Sequence, residues 1–272
     1  MNMRIPLAAA VGLVLTAIYF LIALLAPLIA PYGMAEVVGD VWEPSSAAHW
    51  LGTDNIGRDL LTRMIYGGRT TILIATAATA LSFTTGAVLG FLAAVLGGWA
   101  DQLMSRAVDL LMSIPTLIFA LVVLSVMPVT VPVLILVMGL LDSTRVYRLA
   151  RAVAVDINVM DFVEAARLRG EGRGWIIFRE ILPNALSPLI AEMGMRFIFM
   201  VLFVSTLSFL GLGVQPPAAD WGGIVKENKD GIVYGIPAAL LPAIAIATLA
   251  ISVNLVADWV LNRTTSLKGG RG

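Results

Sequence analysis

Leu7-Ala-Ala-Ala-Val-Gly-Leu-Val-Leu-Thr-Ala-Ile-Tyr-Phe-Leu-Ile-Ala-Leu-Leu-Ala-Pro-Leu-Ile29 carries no charged side chain from end to end. A hydrocarbon layer about 30 Å thick is crossed by roughly 20 helical residues rising 1.5 Å each, so this stretch is long enough to span a bilayer. Arg4 precedes it, as in a secretory signal. Its apolar stretch is about twice the core of such signals, however, and it reads as a retained helix. Working outward, five more apolar runs are expected to span, at about 71–96, 107–127, 131–147, 186–210 and 236–261. Residues 128–130 separate the third from the fourth and predict a tight helical hairpin.

Composition agrees with a membrane protein. Of 272 residues, 59% are hydrophobic and 13% charged, where a soluble domain averages about a quarter charged. Eighteen Lys and Arg balance eighteen Asp and Glu, which excludes a strongly basic nucleic-acid binder. With no cysteine and one histidine, His49, disulfide scaffolds, thiolate metal sites and His-based triads cannot be built within the chain. His49 lies beside Trp50 in the outer loop and reads as interfacial, so no metal ligand is assigned.

Cytoplasmic loops retain Lys and Arg, which orients the spans. With six spans and an internal N-terminus, the inner side holds Arg4, Arg106, Arg145, Arg148, Arg151, Arg167, Arg169, Arg173, Arg179, Arg263, Lys268 and Arg271. The outer side holds only Arg58, Arg63, Arg69, Lys226 and Lys229, so both termini are expected in the cytoplasm. Three segments stand outside the spans: an outer loop at 31–70, an Arg-rich inner loop at 148–183 and an outer loop at 214–235. No internal repeat or linker divides the chain, which reads as one domain over 1–272.

Within the inner loop, Asp161-Phe-Val-Glu-Ala-Ala-Arg-Leu-Arg-Gly170 predicts a short helix. The acid suits the positive N-terminal end of the helix dipole and the glycine permits the left-handed turn that closes it. Gly172 and Gly174 then give a turn before a second helical stretch at 175–182, expected to break at Pro183. The first helix has apolar or small Phe162, Ala165, Ala166 and Leu168 beside polar Glu164, Arg167 and Arg169. By pattern it fits a docking element or a surface helix resting on lipid headgroups.

Glu164-Ala-Ala-x-x-x-Gly170 followed by Ile181-Leu-Pro-Asn184 resembles the EAA loop of ABC-importer permeases, with Glu180 where the general pattern has isoleucine. Four further segments resemble the dipeptide/oligopeptide/nickel permease family, in the same order. They are Leu51-Gly-Thr-Asp-Asn-Ile-Gly-Arg-Asp-Leu-Leu-Thr-Arg-Met-Ile-Tyr-Gly-Gly-Arg69, Arg106-Ala-Val-Asp109 with Ile114-Pro115, Ser208-Phe-Leu-Gly-Leu-Gly-Val-Gln-Pro-Pro217 with Asp220-Trp-Gly222, and Asn254-Leu-Val-Ala-Asp258.

The resemblance implies an all-α, polytopic membrane protein with six transmembrane helices and the type I ABC-importer permease fold, in a bacterial inner membrane. It implies a permease subunit forming half of the pathway of an ATP-driven importer for di- or oligopeptides or related small solutes. The implied partners are a second homologous permease, two ATPase subunits and an extracytoplasmic substrate-binding protein. Asp161, Phe162, Glu164, Ala165, Ala166, Arg167 and Gly170 would couple to an ATPase. Arg58, Asp59, Gln215, Asp220 and Trp221 are candidate contacts of the binding protein. No Gly-x-x-x-x-Gly-Lys-Ser/Thr segment occurs, so no catalytic residue or cofactor is assigned to this chain, and ATP and Mg are expected on the partner ATPases.

The residues inside the spans carry further expectations. Glu192 and Arg196 are one helical turn apart in the favourable order for an intrahelical pair, or they line the pathway. Asn254 is a candidate for the pathway or for helix pairing, and Asp142 is expected to pair with Arg145. Many relatives have an acid where this chain has Val204, so no pathway role is carried over there. Gly86 and Gly90 predict close helix packing, while Pro115 and Pro242 predict bends. The segment 53–67 predicts a short outer helix capped by Thr53, Asp54 or Asn55, packed over the spans or contacting the binding protein. A self-sufficient secondary transporter or channel is the alternative; it calls for coupling acids deep in the membrane, whereas the acids here lie mostly near span ends.

Overall fold

The computed structural model describes residues 5–269, with side chains as far as Leu261. Arg4 and Arg271, counted above for orientation, lie outside the described residues, as do the side chains of Arg263 and Lys268. The described chain is all-helical, with two isolated bridges, Val37 to Arg58 and Thr53 to Asp59, in the segment after the first helix.

Helix α1 (Leu7–Ile29) is followed by an irregular segment and then by α2 (Leu60–Leu96). The helix expected at 53–67 does not exist as a separate element. Residues 53–59 form a turn, and Asp59 caps α2 by accepting the Thr62 amide at 2.7 Å. Helix α2 therefore starts well before residue 71 and runs unbroken for 37 residues. Gly97 and Gly98, both at positive φ, end it and turn the chain into α3 (Gly98–Met112).

The third expected span is not one helix. Helix α3 and α4 (Thr116–Val126) meet at an 82° bend across residues 113–115, where Pro115 has no amide hydrogen to continue the ladder. Helix α5 (Val131–Asn158) begins with Pro132 in its first turn and continues well past Tyr147. Its cytoplasmic-type charges fold back on α3: Arg148 meets Asp109 at 2.7 Å and Arg151 meets Asp101 at 2.5 Å.

After the short α6 (Asp161–Leu168), the chain does not break at Pro183. Helix α7 (Arg173–Trp175), a π-type segment at Ile176–Ile181 and α8 (Leu182–Phe209) form one continuous rod. The wide turn sends the Leu182 amide to the Ile177 carbonyl immediately before Pro183, which has no amide hydrogen to donate within the rod. Helix α9 (Trp221–Asn228) and two 3₁₀ turns lead into α10 (Leu240–Gly269). Pro242 falls in the first turn of α10, so it costs no interior hydrogen bond and bends nothing.

Four helical stretches are long and apolar enough to cross a membrane, and the bent α3–α4 pair makes up to five. Helix α5 adds an apolar front half to a charged rear that includes Asp142, Arg145, Arg148 and Arg151. Helices in lipid associate through close packing rather than water exclusion, so small residues decide where backbones meet. At the α2–α5 contact, a Cβ on Gly86 would lie 2.6 Å from the Ser143 carbonyl, and one on Gly90 2.7 Å from that of Tyr147. The core has two parts: one around Ile74, Leu134, Met200, Leu207 and Trp221, the other around Phe91, Ala150, Val163, Ile177 and Ile181.

Candidate functional site

Helix α6 is held from one side. Val163 is buried in the second core part, with residues of α2, α5 and the π-type segment, and Ala166 is buried on the same side. Val163 was missed in the sequence because Phe162 and Leu168 looked like the apolar face. Phe162 is 42% and Leu168 85% exposed, and Asp161, Glu164, Ala165 and Arg167 are exposed as well. The helix is thus anchored by one small stripe, while Phe162, Glu164, Ala165 and Leu168 stand exposed. Arg167 donates to Asn158 Oδ1 at 2.5 Å, and Asn158 in turn donates to the Ala94 carbonyl at 3.1 Å, which ties α6 to the ends of α5 and α2. Gly170, at φ +84°, closes the helix with open space around it. Arg169 lies over the Trp175 ring, 5.7 Å from its centre.

Charged residues of α5 and α8 meet beside a hydroxyl of α2. Arg196 donates to Glu192 Oε1 at 2.7 Å, the intrahelical pair expected from the sequence. Its other end approaches Asp142 of α5 at 3.4 Å, and Asp142 also accepts the Ser82 hydroxyl of α2 at 2.9 Å. Asp142 therefore does not pair with Arg145, whose guanidinium sits over the Phe199 ring at 4.7 Å. Asn254 is half-buried on α10 and is not part of this group.

On the other side, residues 31–59 and α9 form a cap over the start of α2. Arg58 and Arg63 share Glu227 Oε2 at 2.6 and 2.5 Å, and both also approach Asp54 Oδ2, at 2.6 and 3.6 Å. Helix α9 seats itself on two glycines of α2. The Trp221 ring lies against Gly68, Ile224 against Gly67, and the Trp221 indole donates to the Met64 carbonyl at 3.0 Å. Asp220 caps α9 by accepting the Gly222 amide at 3.1 Å. Its carboxyl is pushed up to about 6 by burial, which outweighs the stabilising Gly222 amide.

His49 Nδ1 lies 3.2 Å from Asp59 Oδ1, and the described residues include no cluster of acids and histidine able to hold a metal. Arg58, Asp59, Asp220 and Trp221, expected at a binding-protein contact, are buried in these internal interactions. Of that set only Gln215 is exposed.

Residues 86–266, which take in α6 and the charged group around Asp142 and Arg196, match the family model for binding-protein-dependent transport system inner membrane components. The chain belongs to that family. As a binding-protein-dependent permease it is similar to the dipeptide transport system permease protein DppC of Alkalihalophilus pseudofirmus, 31% identical over 92% of this chain and 83% of that relative. A putative peptide transport system permease protein of Brucella suis is 37% identical over 91% of this chain and 84% of its own length. A putative peptide permease protein from the same organism is 34% identical over 92% and 84%. The chain is accordingly a multi-pass inner-membrane permease subunit of an ABC transport system. In such a permease the exposed side of α6 and the cap over α2 are the two faces turned away from the helix bundle.

Proposed function

We propose that this permease forms one half of the pathway of an ATP-driven importer that takes in di- or oligopeptides or related small solutes. The peptide class comes from the named relatives. The partners in this reading are a second homologous permease, two cytoplasmic ATPases that bind ATP and Mg, and an extracytoplasmic binding protein. The chain crosses the membrane six times with both termini in the cytoplasm, α5 supplying one crossing and the bent α3–α4 pair another.

The observation that carries this reading is α6, fixed to the bundle by Val163 and Ala166 while Phe162, Glu164, Ala165, Arg167 and Leu168 face outward. Such a helix transmits force. A partner cleft that grips the outward face moves α6, and the buried stripe passes the displacement to α2, α5 and the π-type segment. Alternating access is then a two-state equilibrium biased by ATP on the ATPases and by the loaded binding protein. Asp161 and Gly170 set the two ends of the gripped helix. Glu192, Arg196 and Asn254 belong to the helices that rearrange around the pathway, and Gln215 remains the exposed candidate for binding-protein contact.

The test uses the assembled transporter in liposomes. Glu164→Lys and Gly170→Val should each lower uptake and stimulated ATP hydrolysis at least tenfold while the binding protein keeps its affinity for solute. Full uptake by the Glu164→Lys transporter would overturn the coupling role of α6.

A further inference from the structure

Among the described residues, the outer-side arginines divide into two kinds. Arg58 and Arg63 are neutralised by Asp54 and Glu227, whereas Arg69 makes no ion pair and no side-chain hydrogen bond. Arg69 is nonetheless half-buried, at the edge of a groove of about 640 Å³ between α1 and α2. The groove is otherwise apolar, lined by Phe20, Leu21, Leu24, Ile72 and Leu73 among others. Its one further polar group, the Thr76 hydroxyl, is spent on the Ile72 carbonyl at 2.7 Å. A guanidinium facing apolar walls is costly without an anion, and the described residues supply none.

The arrangement along the groove identifies the anion. Helix α1 runs toward the 30–59 segment and α2 away from it, so Leu24 and Arg69 stand at the same end and Ala17 and Thr76 at the other. The positive charge thus lies at the end near the membrane surface and the apolar trough runs inward. From Arg69 to Thr76 the helix rises about 10 Å, roughly two thirds of one leaflet's hydrocarbon depth. Arginine presents a planar fork that matches a phosphate through two hydrogen bonds.

We propose that this groove holds one phospholipid, with its phosphate on the Arg69 guanidinium and an acyl chain along Leu24, Leu21, Phe20 and Leu73. The lipid neutralises the cation and fills the space between α1 and α2, so α1 is held to the bundle partly through a lipid. This inference is independent of what is transported.

Native mass spectrometry of the intact transporter, released from nanodiscs of phosphatidylglycerol and phosphatidylethanolamine under stepwise delipidation, tests it. The wild-type complex should retain one phospholipid more per copy of this chain than the Arg69→Leu complex, with retention falling at least tenfold, and Arg69→Lys should keep part of it. Leu21→Trp, which fills the trough and leaves the charge, should lose the same lipid. Equal retention in wild type and Arg69→Leu overturns the proposal. Displacement of the lipid by inorganic phosphate at tens of millimolar, marking a free-anion site, also overturns it. So does a Leu21→Trp complex that keeps its lipid but separates from the second permease, since the trough would then be a protein interface.

Discussion

Arg63 of α2 and Glu227 of α9 meet at 2.5 Å, and the Arg63 side chain is 1% exposed. The same carboxylate oxygen takes Arg58 at 2.6 Å, which leaves Asp54 as the second acid for two buried guanidinium groups. Glu227→Gln removes one of the two neutralising charges. It should destabilise the cap by on the order of 3 kcal/mol, the usual cost of stripping a partner from a buried ion pair. The check is thermal unfolding of the purified permease in detergent. An unchanged midpoint would mean that Asp54 alone satisfies both arginines.

Gly86 and Gly90 face backbone carbonyls of α5, which cannot rotate away as a side chain can. Gly90→Val should therefore push α2 from α5 and cost about 1–3 kcal/mol, with loss of folded protein from membranes. Gly172→Ala, where an added Cβ meets nothing within 4 Å, should be indistinguishable from wild type. Quantitative immunoblots and size-exclusion profiles of both variants separate the two cases.

Asp220 supplies a pH dependence. Its folded carboxyl titrates at about 6 because it is buried, against an ordinary value of 3.8. The folded state then binds more protons than the unfolded state between roughly pH 4 and 6, so stability falls as pH rises through that window and is flat above it. The whole effect is at most about 3 kcal/mol. Asp220→Asn keeps an N-capping side chain and removes the titration. The part of the fall in midpoint between pH 4 and 6 that Asp220 contributes should disappear, so the difference between variant and wild type should grow in the variant's favour across that window.

Asp142 and Arg196 tie α5 to α8 at 3.4 Å, with Ser82 adding α2. Asp142→Leu should destabilise more than Glu192→Gln, because Glu192 is 31% exposed and Asp142 fully buried. In the double variant Asp142→Leu with Arg196→Met, part of the loss should return, with a coupling of about 1–2 kcal/mol. Strict additivity of the two single losses would show that the pair contributes nothing beyond its separate packing.

Local pattern carried the reading where local interactions decide the structure. Helix α1 coincides with the uncharged run Leu7–Ile29, and α6 begins at Asp161 and closes through Gly170 at positive φ, as the acid and the glycine imply. The reading failed where a distant partner changes the meaning of a residue. Arg58 and Arg63 made the start of α2 look like a soluble loop, because Glu227 is 164 positions beyond Arg63. Arg148 and Arg151 gave no sign that the helix runs on past the fourth apolar run, because the acids they meet, Asp109 and Asp101, lie on α3. Pro183 looked like a stop because nothing nearby in sequence announces the π-type segment ahead of it. The polar outward residues Glu164 and Arg167 were legible, but the inward anchor at Val163 was not, since one valine among mixed residues has no period to mark it.

Helix α2 is 37 residues in one piece, about 55 Å from tip to tip. Its first turns are wedged under Trp221 and its last turns abut the cluster that seats Val163. A single girder thus joins the two opposite surfaces of the molecule. Any tilt imposed on one extremity reappears at the other without a relay of intermediate parts, and stiffness along this axis sets how faithfully the two surfaces move in step.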